Sequence, residues 1–167
     1  MALLAGGLLA LPDWANAWTK ASLQTANTLL TPPQAETLTE MVDTLIPASD
    51  TPGAKALNVP DFVQKMVADC YEPVVQQQVK TGLDAVDTVA KASFGQLFTA
   101  CDTTQRLDIL RQLEISPDQN RKEFYALIKN LTIQGYTTSE YVMTKYLNYT
   151  MIPGHYYGCV PAPVAVK

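Results

Sequence analysis

Apolar residues recur at helical spacing through almost the whole chain, and no stretch of convincing strand alternation interrupts them. That single property leaves few folds open, because helices with one apolar stripe must bury it against other helices. "TPPQAETLTEMVDTLIP" supplies an N-cap in Thr31 and a proline at the first helical position, Pro32. It then sets Leu38, Met41, Val42, Leu45 and Ile46 on one face, and Pro47 stops it. A turn, "ASDTPGA", precedes a second helix capped by Asn58, with Val59, Phe62, Val63, Met66, Val67 and Cys70 in register. Residues 73–92 repeat the pattern with Val75, Val79, Leu83, Val86 and Val89. Phe94, Leu97, Phe98 and Cys101 mark a short turn or two.

Asp102 and Thr103 then cap a helix carrying Leu107, Leu110 and Leu113. Ser116-Pro117 opens another, lined by Phe124, Leu127, Ile128 and Leu131 and closed by Gly135. Thr137 to Leu147 reads as a last short helix. The fold class is therefore all-α: a single compact helical domain over 31–147, with an irregular, aromatic, Pro/Gly-rich tail at 148–167. Residues 18–30 read as a linker.

Residues 1–17 have the character of a leader. "ALLAGGLLAL" is too short to span a bilayer, and "ANA" at Ala15 to Ala17 is a small-x-small cleavage pattern. No basic residue precedes the apolar run, a departure from a complete export signal. The expectation is a periplasmic protein that meets a membrane only through its partners.

Charge and missing motifs exclude most chemistries. A net charge of −4, with scattered basic residues, speaks against nucleic acid as a partner. One histidine, His155, rules out a multi-histidine metal site. There is no P-loop, no nucleophile elbow, and no strand for a dinucleotide fingerprint to follow. Neither a cofactor nor a metal is expected in this chain, and no residue is assigned a catalytic role. A nucleophile built from His155 and Cys159 is the rival reading, and an ordinary loop histidine is the simpler one. Asp84 and Asp87, three apart on a helix, and Asp50 and Asp61, flanking a turn, read as solvated or dipole-complementing residues.

Cysteine usage is more telling. Cys70 and Cys101 each close an apolar stripe, so both are expected to face the core. In an exported chain they could form a disulfide closing a loop of about 30 residues, worth on the order of 3–4 kcal/mol. The alternative is a pair of buried free thiols. Either way Cys159 is left over, in a segment, "YTMIPGHYYGCVPAP", crowded with tyrosines. An odd cysteine suggests pairing with another molecule, and tyrosines among Pro and Gly suit a contact surface.

"TLIPASDTPGAKALNVPDFV" (Thr44 to Val63) resembles the signature of the gluconate 2-dehydrogenase subunit 3 family, and "GYTTSE…MIPGHYYGCVP" (Gly135 to Pro161) is similar to the same family's C-terminal segment. The resemblance implies a non-catalytic small, or gamma, subunit. Its large partner would be an FAD-dependent flavoprotein of the glucose-methanol-choline type that oxidises a sugar or sugar acid and passes electrons to a cytochrome c or another acceptor. Whether the partner also holds an iron-sulfur cluster is open. The resemblance further implies twin-arginine export with the large subunit carried along, although no twin arginine is visible here. A free-standing periplasmic chaperone or binding domain with a transient client is the alternative.

The expected contact surface joins the 47–61 turn, with Pro47, Asp50 and Pro52, to the 136–161 tail. In the tail, Tyr136, Tyr149, Tyr156 and Tyr157 would supply area, Ile152 and Val160 apolar anchors, and His155 a local hydrogen bond. Cys70, Cys101 and Cys159 are the disulfide candidates, with Cys159 placed to lock a partner.

Overall fold

The computed structural model describes residues 29–150 together with Ile152 and Gly154. Six α-helices follow one another in this part of the chain. They are α1 (Pro32–Leu45), α2 (Val59–Cys70), α3 (Pro73–Phe94), α4 (Thr103–Glu114), α5 (Gln119–Thr137) and α6 (Glu140–Lys145). A 3-10 turn, Phe98–Ala100, lies between α3 and α4. The all-α expectation holds among the described residues. The leader at 1–17 and most of the linker lie outside them.

Local chemistry accounts for the helix ends. The Thr31 N–H donates to Gln34 Oε1 at 3.1 Å, half of a capping box, and two prolines occupy positions where no N–H is needed. Asp102 and Gln105 form the complete box: the Gln105 N–H donates to Asp102 Oδ1 at 2.8 Å, and the Asp102 N–H to Gln105 Oε1 at 3.1 Å. α3 ends on Gly95, whose left-handed backbone (φ 72°) costs a glycine nothing.

Boundaries of α5 and α6 differ from the sequence reading, α6 spanning Glu140–Lys145 and not Thr137 to Leu147. α5 starts at Asp118, whose carboxylate accepts from the Asn120 N–H at 3.0 Å, so Ser116-Pro117 is a lead-in. Gly135 does not close α5 but lies buried inside it, where a Cβ would sit 2.6 Å from Phe62 Cδ1 on α2. Glycine there permits a close helix–helix approach.

α5 is the hub of the bundle, lying against each of the other five helices. Its Phe124, Ile128 and Leu131 meet Leu38, Met41 and Val42 of α1, Val63 and Val67 of α2, and Val79, Leu83 and Val86 of α3 in one buried cluster. On α4 the buried residues are Ile109, Leu110 and Leu113, while Leu107 is partly exposed. The carboxylates of the α3 pair hold neighbouring elements. Asp84 accepts from Gln34 at 2.9 Å. Asp87 accepts from the Phe98 N–H at 3.2 Å and from the Thr37 hydroxyl at 3.5 Å.

The cysteines separate. Cys101 is buried, and its thiol lies 3.4 Å from the Leu97 carbonyl. Cys70 is exposed at the end of α2, which corrects the expectation that it faces the core. Both are free thiols in this structure, and on α2 Val67 is buried while Cys70, three residues on, is exposed.

One partly buried ion network ties α1, α4 and the 46–58 turn. Arg106 bonds the Glu40 carboxylate, donates to the carbonyls of Thr99 (2.7 Å) and Phe98 (3.2 Å), and lies over the Phe98 ring. Lys55 reaches the other Glu40 oxygen at 2.8 Å. Burial would raise the Glu40 pKa, but the Lys55 hydrogen bond and the charges of Arg106 and Lys55 outweigh it. The net shift is below the ordinary value of 4.5.

A lowered carboxylate stabilises the fold above its unfolded pKa and loses that contribution as pH falls through the folded one. The stability gap between wild type and Glu40→Gln should therefore be constant above pH 4.5 and narrow below it. Thermal melts of both proteins across the acid range check this, and a gap that widens on acidification contradicts it.

Candidate partner interface

Residues 46–58 form a folded-back turn held by its own backbone. The Ala54 N–H donates to the Ile46 carbonyl at 3.0 Å, the Ser49 N–H to Thr51 O at 3.0 Å, and the Val59 N–H to Ala54 O at 3.1 Å. The return of the chain is so close that Gly53 has no room for a side chain: a Cβ would lie 2.6 Å from the Ala48 nitrogen. Asn58 takes the left-handed conformation (φ 56°) that asparagine tolerates, and α2 begins at once. The "DTPGA" stretch is thus a rigid loop between α1 and α2. It presents Pro47 and Asp50 to solvent, with Pro52 half-buried.

Tyr136, on the last turn of α5, joins this loop to the C-terminal segment. Its hydroxyl donates to the Pro52 carbonyl at 3.2 Å and lies 3.5 Å from the Thr51 hydroxyl. Its own carbonyl accepts from the Ser139 hydroxyl at 2.7 Å, and Ser139 in turn caps α6 by accepting from the Val142 N–H at 3.4 Å. One residue therefore bonds both blocks. The sequence reading grouped Pro52 and Tyr136, and the structure places them in contact.

α6 is unusual for a helix of this domain because none of its residues is buried, and among the helices it packs on α5. Tyr141, Val142 and Met143 are half-buried on it, and the Tyr141 and Tyr146 rings meet edge to face, 6.0 Å between centroids. Beyond it the chain turns back: Asn148 has φ 49°, and the Tyr149 N–H reaches the Met143 carbonyl at 2.9 Å. Tyr146, Leu147, Tyr149 and Ile152 are all more than half exposed. Four large apolar or aromatic side chains exposed within seven residues of sequence are an uncovered group of the kind that marks protein contacts.

Tyr149 and Ile152 were named from the sequence; Tyr146 and Leu147 were not. Their signal was available in "EYVMTKYLNY", where apolar residues fall on every side of a helix too short to bury them. His155, Tyr156, Tyr157, Cys159 and Val160 lie outside the described residues, and with them the His155–Cys159 reading. Among the described residues no three His, Cys, Asp or Glu side chains gather as a group able to hold a metal. Among the same residues, no helix is long and apolar enough to cross a membrane.

The family model of gluconate 2-dehydrogenase subunit 3 matches residues 32–154, well over half of the chain and including both the loop and the exposed patch. No curated protein and no solved structure gives a match.

Proposed function

Since the chain belongs to the gluconate 2-dehydrogenase subunit 3 family, we propose that it is the non-catalytic small subunit of a dehydrogenase complex, docking a large FAD-dependent flavoprotein of the glucose-methanol-choline type. The observation that carries this reading is the family match, whose span takes in the loop, Tyr136 and the patch around Tyr149. FAD and the substrate pocket for a sugar or sugar acid reside in the partner, which hands electrons to a cytochrome c or a similar acceptor. The small subunit supports folding and stability of that partner and carries it to the periplasm.

The geometry suits such a role. The Pro47–Pro52 loop and the α6 patch are bonded through Tyr136, so a partner meets a preformed surface and loses little conformational entropy on docking. Pro47, Asp50, His155, Tyr156, Tyr157 and Val160 complete the contact, and Cys159 locks it through an intersubunit disulfide. A purified complex that runs as two separate bands without reductant removes the covalent lock while leaving the docking intact.

The test is co-purification of the tagged chain from its native host, with a visible spectrum and a gel. The expected result is a stoichiometric large band with a flavin spectrum. Leu147→Asp with Tyr149→Asp, both on exposed positions, should leave the melting temperature near wild type and cut recovered flavoprotein at least about tenfold, the loss of one or two hot-spot contacts. A lone colourless wild-type chain would refute the stable complex and favour a transient chaperone.

A further inference from the structure

The loop between α1 and α2 divides into a displayed half and an anchored half. Pro47, Ala48, Ser49 and Asp50 are all exposed, whereas Thr51 and Pro52 are half-buried and Gly53 and Ala54 are buried. The anchored half is gripped on both flanks of Gly53 by side chains from other elements. On one flank the Tyr136 hydroxyl, from α5, donates to the Pro52 carbonyl at 3.2 Å and lies 3.5 Å from the Thr51 hydroxyl. On the other, Lys55 Nζ donates to Glu40 Oε1 of α1 at 2.8 Å, and Glu40 is itself bonded by Arg106 of α4.

Neither grip does much for the core. The Lys55 side chain is 50% exposed, and an ion pair so placed adds little to stability. The Pro52 carbonyl belongs to a half-buried residue, so the net gain from its bond to Tyr136 is modest. What the two bonds fix is position, because a backbone tethered at Pro52 and again at Lys55 has few conformations left. A displayed segment held in one shape before docking is spared that ordering cost on binding. Asp50, the charged residue of the displayed half, pairs with no basic side chain among the described residues.

We propose that Tyr136 and Glu40, the latter through Lys55, are positioning residues for partner docking: they clamp residues 51–55 so that Pro47–Asp50 stands as a fixed recognition tip, with Asp50 meeting a basic side chain of the large subunit. The inference rests on the subunit reading above and assigns that site its means of recognition.

The apparent dissociation constant of the purified complex tests the clamp. Tyr136→Phe with Lys55→Met removes both grips and leaves Glu40 bonded to Arg106, so the isolated chain should melt near wild type. Its complex should dissociate about tenfold more readily, and Asp50→Ala alone should have an effect of similar size. The triple variant should be little worse than either, because a loose tip has already lost the Asp50 contact. Lys55→Arg, which keeps a cation for Glu40, should bind as wild type. In the isolated chain, amide exchange at Ser49 and Ala54 should rise several-fold in the Tyr136→Phe/Lys55→Met variant, with α3 unchanged. Unchanged affinity in that variant overturns the proposal, as do losses that multiply in the triple variant, failure of Lys55→Arg to bind, or unchanged loop exchange. A wild-type chain that binds no flavoprotein while the clamp variant still loosens the loop sinks the subunit reading, and the docking role with it, but leaves the clamp standing.

Discussion

Gly53→Ala is expected to destabilise the domain by about 3 kcal/mol and to lower its melting temperature by roughly 10 °C. The position is not demanding because of φ; the demand is space. An added Cβ would lie 2.6 Å from the Ala48 nitrogen, 2.9 Å from the Pro47 carbonyl carbon and 3.0 Å from the Ile46 oxygen. All three are backbone atoms, so no side chain can rotate away and the loop must open. Opening it stretches the Ala54–Ile46 bond and moves Pro52 away from the Tyr136 hydroxyl. The same change should therefore weaken partner recovery beyond its effect on stability.

Gly95→Ala is the control. That glycine has φ 72° and nothing within 4 Å of an added Cβ, so only the conformational cost of about 1 kcal/mol applies. Equal melting temperatures for the two variants would show that the close approach at Gly53 is not what holds the loop.

Gly82→Ala should cost a comparable amount, about 2–3 kcal/mol, against the intrinsic preference of a helix for alanine, worth roughly 1 kcal/mol. Its Cβ would fall 2.3 Å from Phe124 Cγ and Cδ2, inside a ring that is itself buried in the core. The ring occupies the space a Cβ would need, and α3 and α5 would have to separate. Phe124→Leu alone should also destabilise, by about 1–2 kcal/mol, through lost ring contacts. Because each substitution acts on the same gap, the double variant should be less damaged than the sum by at least about 1 kcal/mol. Strict additivity in urea unfolding would mean that the two residues do not share that space.

Neither glycine is distinguished in the sequence from any other helix-weakening residue. Gly53 sits beside a proline in a run that reads as an ordinary turn, and its need for space arises only when α1 and α2 fold back on one another. Gly135 misled for the same reason, since a glycine near a helix end is commonly a terminator. What kept it inside α5 is the Phe62 ring packed where a Cβ would be. Cys70 misled differently, because helical spacing places it on the apolar stripe but does not say where the neighbouring helices end. Arg106 and Glu40, 66 residues apart, carry no local pattern at all, and their pairing appears only when α4 crosses α1.

Helix number, the Thr31 and Asp102 caps and most of the core positions were determined by the sequence, because period, capping side chains and prolines act within a few residues. The loop and tail blocks were also legible there, as was the likeness of both to one family. Tertiary structure alone decided that α5 is the hub, that Tyr136 bonds the loop and α6 at once, and that Tyr146 and Leu147 stand uncovered beside Tyr149. The physical reason is range. Backbone preference and capping are local free energies, whereas burial, close approach and an unfilled surface are properties of which distant segments arrive at the same place.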